Sequence, residues 1–180
     1  MAKQIKYTAR LRPFLVEGLD EVIKNLNIEL KKIHVGSSRG LVQVSHHIRR
    51  ATENSTPLTP VDKGNLRASY FTAAAEGLVD DPLGFSGNFK KPRKHHITEG
   101  EIRGQFNAIT AASLTRVRSI KDPNIIFGYG VNYAAWVHEM VGVLPENWSR
   151  EGSDAKWLEA HLNRSYDTIL RIVQDNAKIK

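Results

Sequence analysis

The chain contains no cysteine, which rules out disulfides, thiol nucleophiles and thiolate metal sites. It has no apolar run long enough to span a bilayer. The opening stretch MAKQIKYTARLR lacks the hydrophobic core of a signal peptide. The expectation is a protein without membrane contact, made in a cytoplasm. No Walker phosphate loop occurs. Gly128-Tyr129-Gly130 supplies two thirds of a dinucleotide fingerprint, but Tyr133 stands where the third glycine belongs. Such a pair is more often a tight turn or bulge. His138-Glu139 opens like a zincin motif, yet Gly142 occupies the position of the second histidine. His46-His47 and His95-His96 are adjacent pairs, and neighbours on a helix or strand point apart. Only a metal site assembled between chains would use them. Ser69 and Ser113 lack nucleophile-elbow surroundings, and Asp80-Asp81 reads first as a solvated carboxylate pair. With no catalytic constellation, the expectation is a non-enzyme without cofactor or metal.

What is present is enough for a folded core. The composition is 41% hydrophobic, 25% charged and 8% aromatic, unlike a disordered or fibrous chain. A length of 180 residues suits one domain, 1–180, with an arm at 1–13 and an insertion at 76–121. The net charge of +7 permits contact with nucleic acid or an acidic protein and does not choose between them.

Residues 4–12 alternate, with Ile5, Tyr7, Ala9 and Leu11 on one face, so they read as a strand or pairing arm ended by Pro13. Leu19, Val22, Ile23, Leu26, Leu30 and Ile33 form the apolar stripe of a helix over about 16–33. Gly36-Ser37-Ser38 reads as its break. A second helix then runs over about 40–54, with Leu41, Val44, Ile48 and Ala51 inward and Arg49-Arg50 on a basic face.

The segment STPLTPVDKGNLRASYF is a compact corner. Pro57 and Pro60 stop the helix, Asp62 is placed to accept backbone N–H groups, and Gly64 can take a positive φ. The alternation after Gly64 reads as a strand leaving the corner directly, over 65–75. Residues 76–105 hold several glycines and prolines and the run Lys90-Lys91-Pro92-Arg93-Lys94, with no persistent period. They read as a long surface flap, and a short helix over Asn107–Leu114 fits behind it. Lys90, Lys91, Arg93 and Lys94 are candidates to hold phosphates, with Phe89 stacking, or to meet an acidic partner; the bland reading is a solvated loop. Asp122-Pro123-Asn124 is a turn, Ile125-Ile126-Phe127 starts a buried strand, and Tyr133, Trp136 and Val137 mark a short helical turn. A final helix over about 154–178, capped by Ser153 or Asp154, carries Leu158, Leu162, Tyr166, Ile169 and Val173 inward. Trp136 and Trp148 are core residues by default and interface anchors in the sharper reading. The expected architecture is α+β: a small, mainly antiparallel sheet packed against N- and C-terminal helices, with a long basic loop insertion.

Taken in order, EGLDEVIKNLNIEL, TPVDKGNLRASY, IIFGYGVNYAAWVHEM and DAKWLEAHL resemble the gene-product-ten-like family of tailed bacteriophages, the tail-completion or head–tail joining proteins. Pro60, Val61, Asp62, Gly64, Leu66, Arg67 and Ser69 match that family's corner. Tyr133, Ala134, Val137 and Glu139 match its second block, with His138 inserted. The insertion at 76–121 and the GVLPENWSREGSD stretch depart from the pattern. The resemblance implies a structural virion protein of the phage neck, assembled in the bacterial host cytoplasm as a homo-oligomeric, hexameric ring. It implies contacts with connector or stopper proteins, with a tail terminator or tail tube, and non-specifically with packaged DNA. Ile5, Tyr7, Leu11 and Trp148 are the candidate assembly residues. A basic nucleic-acid-binding module using residues 90–96 and the Arg49-Arg50 face is the alternative.

Overall fold

A computed structural model describes residues 18–75, 77–79, 87–91, 98–142 and 150–178. The proposed strand at 4–12, with Ile5, Tyr7 and Leu11, lies outside the described residues, as do Arg93, Lys94 and Trp148. The elements run α1 (Leu19–Asn54), α2 (Asn65–Ala68), β1 (Tyr70–Ala74), β2 (Gly77–Val79), α3 (Glu99–Ser119), β3 (Ile125–Tyr129), α4 (Ala134–Glu139), α5 (Trp157–Arg164) and α6 (Tyr166–Ala177). The fold is α+β. Its sheet has the order β2-β1-β3, with both pairings antiparallel.

β1 is the centre of the molecule and is buried on both faces. Tyr70 and Thr72 face α1, where the Ser45 hydroxyl bonds the Tyr70 hydroxyl at 2.8 Å and also reaches Thr72. Phe71 and Ala73 face the opposite way, into a cluster with Ile102, Phe106 and Val117 of α3. The period-2 geometry of a strand thus divides five residues between two helical layers. The C-terminal helices meet the sheet at its β3 edge, where Trp157, fully buried, stands edge-on to Tyr129 at 5.7 Å.

Four elements differ from the sequence reading. The two expected N-terminal helices are one continuous helix of 36 residues. Gly36 and Gly40 do not break it, because α6 crosses there and needs their missing side chains. A Cβ on Gly36 would lie 2.1 Å from the Asn176 carbonyl oxygen, and one on Gly40 would lie 2.9 Å from Val173 Cα. The segment after Gly64 is first a helical turn, α2, and only then a strand.

Most of the second half of the expected insertion at 76–121 is the 21-residue α3, which takes in the end of the flap and the whole of the short helix expected over Asn107–Leu114. Its start is fixed by a capping box. Thr98 Oγ1 accepts from the Glu101 backbone N–H at 3.2 Å, and the Glu101 carboxylate accepts from the Thr98 N–H at 2.5 Å. Ile102, Phe106, Thr110 and Val117 then form its buried stripe.

The final helix is divided at Ser165 into α5 and α6. His161 on α5 is tied through Nε2 to the Ser55 and Pro57 carbonyls, 3.0 Å from each, while the Ser165 hydroxyl meets His47 at 3.3 Å. α5 is therefore anchored to the turn that follows α1, and α6 runs antiparallel along α1 itself. Trp157 and His161 are the buried residues of this region, whereas Tyr166, expected inward, is exposed. The start of α5 also differs: Lys156, at φ 56, is the cap position, and Asp154 accepts only from the adjacent Ala155 N–H at 2.7 Å. β3, expected buried, is half-buried throughout.

Candidate functional site

The corner and the basic run, about 25 residues apart in sequence, form one site. Pro60 is buried and Gly64 has φ 87, a left-handed conformation that disfavours any side chain. Gly64 opens α2, whose Ala68 N–H bonds the Gly64 carbonyl at 2.9 Å. The next residue, Asn65, is buried and clamps the incoming chain. Its amide nitrogen donates to the Lys90 carbonyl and its amide oxygen accepts from the Lys90 N–H, each at 2.7 Å.

Phe89, beside this clamp, is buried and packs edge-on to Phe106 at 5.5 Å. It therefore cannot stack on a nucleic-acid base, as the sequence reading allowed. Its role is to fix one end of the basic run in the core. The expected surface flap is corrected at this point, since the same contact ties Phe89 into the core.

A groove of about 630 Å³ opens between the two segments. Among the described residues its charged lining is Lys63, Arg67, Lys90 and Lys91 against a single carboxylate, Asp62. Lys90 and Lys91 are exposed and Lys63 is half-exposed. None of these three lysines forms an ion pair with a described residue. Lys63 and Asn65 were not nominated from the sequence. No local signal marks them, because their partner lies in a distant segment.

Arg67 links the groove to a buried charge cluster. Glu53 receives Arg49 at 2.7 Å, Arg67 at 2.5 Å and Arg150 at 2.9 Å. Arg49 is fully buried. It donates to the Arg67 carbonyl at 2.8 Å and lies over the Tyr70 ring, 4.9 Å from its centroid. The expected Arg49-Arg50 basic face is thereby corrected: Arg49 is an internal brace and only Arg50 is exposed.

The second motif block packs against the first. Gly130 N–H bonds the Ser69 carbonyl at 2.8 Å, with the Phe106 ring so close that a Cβ on Gly130 would meet it at 2.8 Å. Tyr129 and Thr59 share a hydroxyl bond of 2.8 Å. Burial first, and the charge of Asp62 second, push the Tyr133 phenol up to about 12, so it stays protonated at neutral pH. His138 is packed edge-on to Trp157 at 4.8 Å. Among the described residues, no three metal-type side chains converge, and no helix is long and apolar enough to cross a membrane.

A second surface stands apart from the groove. Leu19, Ile23, Leu26, Leu30 and Ile33 follow steps of four and three along α1, the spacing of a helix-packing seam. Further along the same face, α6 covers Gly36 and Gly40. α6 ends opposite Gly36, so the first part of α1 extends roughly 25 Å past it at 1.5 Å per residue. There the stripe is bare: Leu19 is 51% exposed, Val22 62%, Ile23 47%, Leu26 58% and Leu30 46%. The sequence reading made these residues one apolar stripe without assigning what it packs against; here they face solvent. Trp136, on α4, is also exposed, at 66%, contrary to the default of a core tryptophan.

No family model, no curated protein and no solved structure matches this chain.

Proposed function

We propose that this chain is a ring-forming structural protein of the tailed-phage neck. It would join the capsid connector to the tail as a tail-completion or head–tail joining component. The observation that carries the reading is the bare seam of α1. Soluble monomers rarely leave contiguous apolar patches larger than a few hundred Å² uncovered. A stripe of five large aliphatic side chains, each close to half exposed or more, is a surface built to be covered. The resemblance in the corner and in the Tyr133–Glu139 block supplies the neck assignment.

The occupant we favour is a second copy of the chain. The seam continues a face that already accepts a helix, α6, and a helix of a neighbouring subunit fits where α6 stops. Repeated head-to-tail around an axis, such a heterologous contact closes a ring.

The test is sedimentation of the full chain beside a Leu26→Glu/Leu30→Glu variant. The wild type should run as a discrete oligomer, with six copies for a hexamer, and the variant as a folded monomer. A monomeric wild type would overturn the reading. So would an oligomer that the variant leaves intact. A third sample lacking residues 1–12 addresses the chain's own N-terminal segment as the occupant. If wild type is monomeric and that deletion alone causes association, the seam is covered from within.

A further inference from the structure

We infer that the groove between the corner and the basic run is a binding site for the phosphodiester backbone of duplex DNA, held by Lys63, Lys90 and Lys91. Three observations carry this. The first is charge: among the described residues four cations line the groove against one carboxylate, and the three lysines have no ion-pair partner there. Their charge is therefore available to an incoming anion.

The second is rigidity. Asn65 holds the Lys90 backbone from both sides, and Phe89 is buried beside it. The backbone carrying Lys90 is thus tied to the same corner that carries Lys63. A preset spacing of cations lowers the ordering cost of binding.

The third is the kind of lining. Protein–protein interface cores are depleted in lysine, whereas phosphate contacts draw on Lys and Arg. A lysine-lined groove with Asn88 as a further hydrogen-bonding group suits a string of phosphates better than an acidic protein. Among the described lining residues no aromatic face is offered to a base, and Phe89 is buried, so the contact is to backbone and independent of sequence. The inference deepens the neck reading and rests on it only for the identity of the DNA as the packaged genome.

The experiment measures the anisotropy of a labelled duplex of about 30 base pairs with the full chain, from about 50 to 200 mM salt. Lys63→Gln/Lys90→Gln/Lys91→Gln is compared with Lys31→Gln/Arg118→Gln/Lys121→Gln, which removes the same charge from exposed positions elsewhere. Affinity of the wild type should fall steeply with salt. The groove variant should bind roughly tenfold or more weakly at low salt. Its slope of log affinity against log salt should be shallower by about 0.9 for each phosphate no longer neutralised. The control variant should keep the wild-type slope. Each single lysine variant should show part of the change, so misfolding of the triple variant would not hide the result.

Equal slopes for wild type and groove variant would overturn the site, as would equal losses in the two triple variants. Competition by poly-glutamate as effective, charge for charge, as unlabelled duplex would assign the groove to an acidic protein. Displacement of the duplex by inorganic phosphate at lower phosphate concentration than by unlabelled duplex would make it a small-anion site. Both outcomes reject the DNA backbone. Sedimentation of the same samples separates this inference from the ring. An oligomeric wild type with no groove-dependent slope rejects the groove alone, and a monomer with the slope change rejects the ring alone.

Discussion

Asn65 and Lys90 are joined in both directions, side-chain amide to backbone, at 2.7 Å for each bond. A residue of the corner thereby takes the place of a neighbouring strand for one residue of the basic run. The backbone polar groups of Lys90 need such a partner because Phe89 beside them is drawn into the core. Asn65→Ala removes both bonds, and the expected loss is about 1–3 kcal/mol. Asn65→Asp should be no better. A carboxylate can still accept from the Lys90 N–H but now faces the Lys90 carbonyl with no hydrogen to donate. Urea denaturation of both variants checks this, and unchanged midpoints would show that the clamp contributes nothing.

The capping box at the start of α3 makes a prediction that depends on pH. The Thr98 N–H, then the Thr98 hydroxyl, hold the Glu101 carboxyl below the ordinary range. A carboxyl lowered in the folded state stabilises fully above its unfolded pKa. That contribution fades as pH falls through the folded value. The stability advantage of wild type over Glu101→Gln should therefore be present at neutral pH and shrink below about pH 4. Thr98→Ala should cost about 1 kcal/mol at neutral pH. Thermal melts at neutral and acid pH measure both effects.

How much of this could be read from the sequence depends on whether a contact is local. The turn at Asp122–Asn124, the strand that follows it and the short helix α4 are set by neighbours in sequence, and all stand where the sequence places them. Val44 and Ile48 are inward for the same reason. α3 was legible only in part: the helix expected over Asn107–Leu114 lies within it, and its first two turns were missed. Gly100 and Gly104 weaken its local helical signal, and the basic run before it dominates the composition. Yet Thr98-x-x-Glu101 followed by Ile102, Phe106, Thr110 and Val117 is a legible cap and stripe. The continuity of α1 was not legible, because what keeps Gly36 helical is a crossing helix about 140 residues later. The groove was half legible. Asp62, Gly64, Lys90 and Lys91 all line it, but nothing local shows that Asn65 brings the two segments together. Periodicity found the apolar stripe of α1; it carries no information on whether the same chain supplies the cover.

Two helical glycines should respond oppositely to the same substitution. Alanine is favoured over glycine in a helix by about 1 kcal/mol. At Gly104 on α3 a new Cβ meets nothing within 4 Å, so Gly104→Ala should stabilise by up to about that amount. At Gly36 the new Cβ would lie 2.1 Å from a backbone carbonyl of α6, which has no flexible end to move aside. Overpacking of this kind costs about 1–3 kcal/mol, and displacing α6 exposes more of α1. The clash outweighs the propensity gain, so Gly36→Ala should lower the melting temperature while Gly104→Ala raises it. Equal shifts of the same sign would show that α6 does not approach α1 as described.

Glu53 is the most consequential single charge in the molecule. Its side chain is 3% exposed and faces three guanidiniums, of which Arg49 is wholly buried while Arg67 and Arg150 reach solvent at 22% and 23%. Removing one member of a buried ion cluster leaves the others uncompensated in a medium that solvates them poorly, at a cost of about 3–5 kcal/mol. Glu53→Gln keeps the shape and removes only the charge, so it isolates this effect from packing. For a chain of this length such a loss lowers the melting temperature on the order of 10 °C. Arg150→Gln should be far milder, about 1 kcal/mol or less, because water screens its outer edge. The contrast between the two variants is the informative quantity. The cluster also holds Arg67 at the wall of the groove, and Glu53→Gln removes a negative charge beside it, so duplex binding should not weaken at temperatures where the protein stays folded. Arg150→Gln should leave that binding within about twofold of wild type, since Arg49 and Arg67 keep their carboxylate. A melt of Glu53→Gln within two or so degrees of wild type would show that the three arginines are solvated by other means and that the core does not depend on this carboxylate.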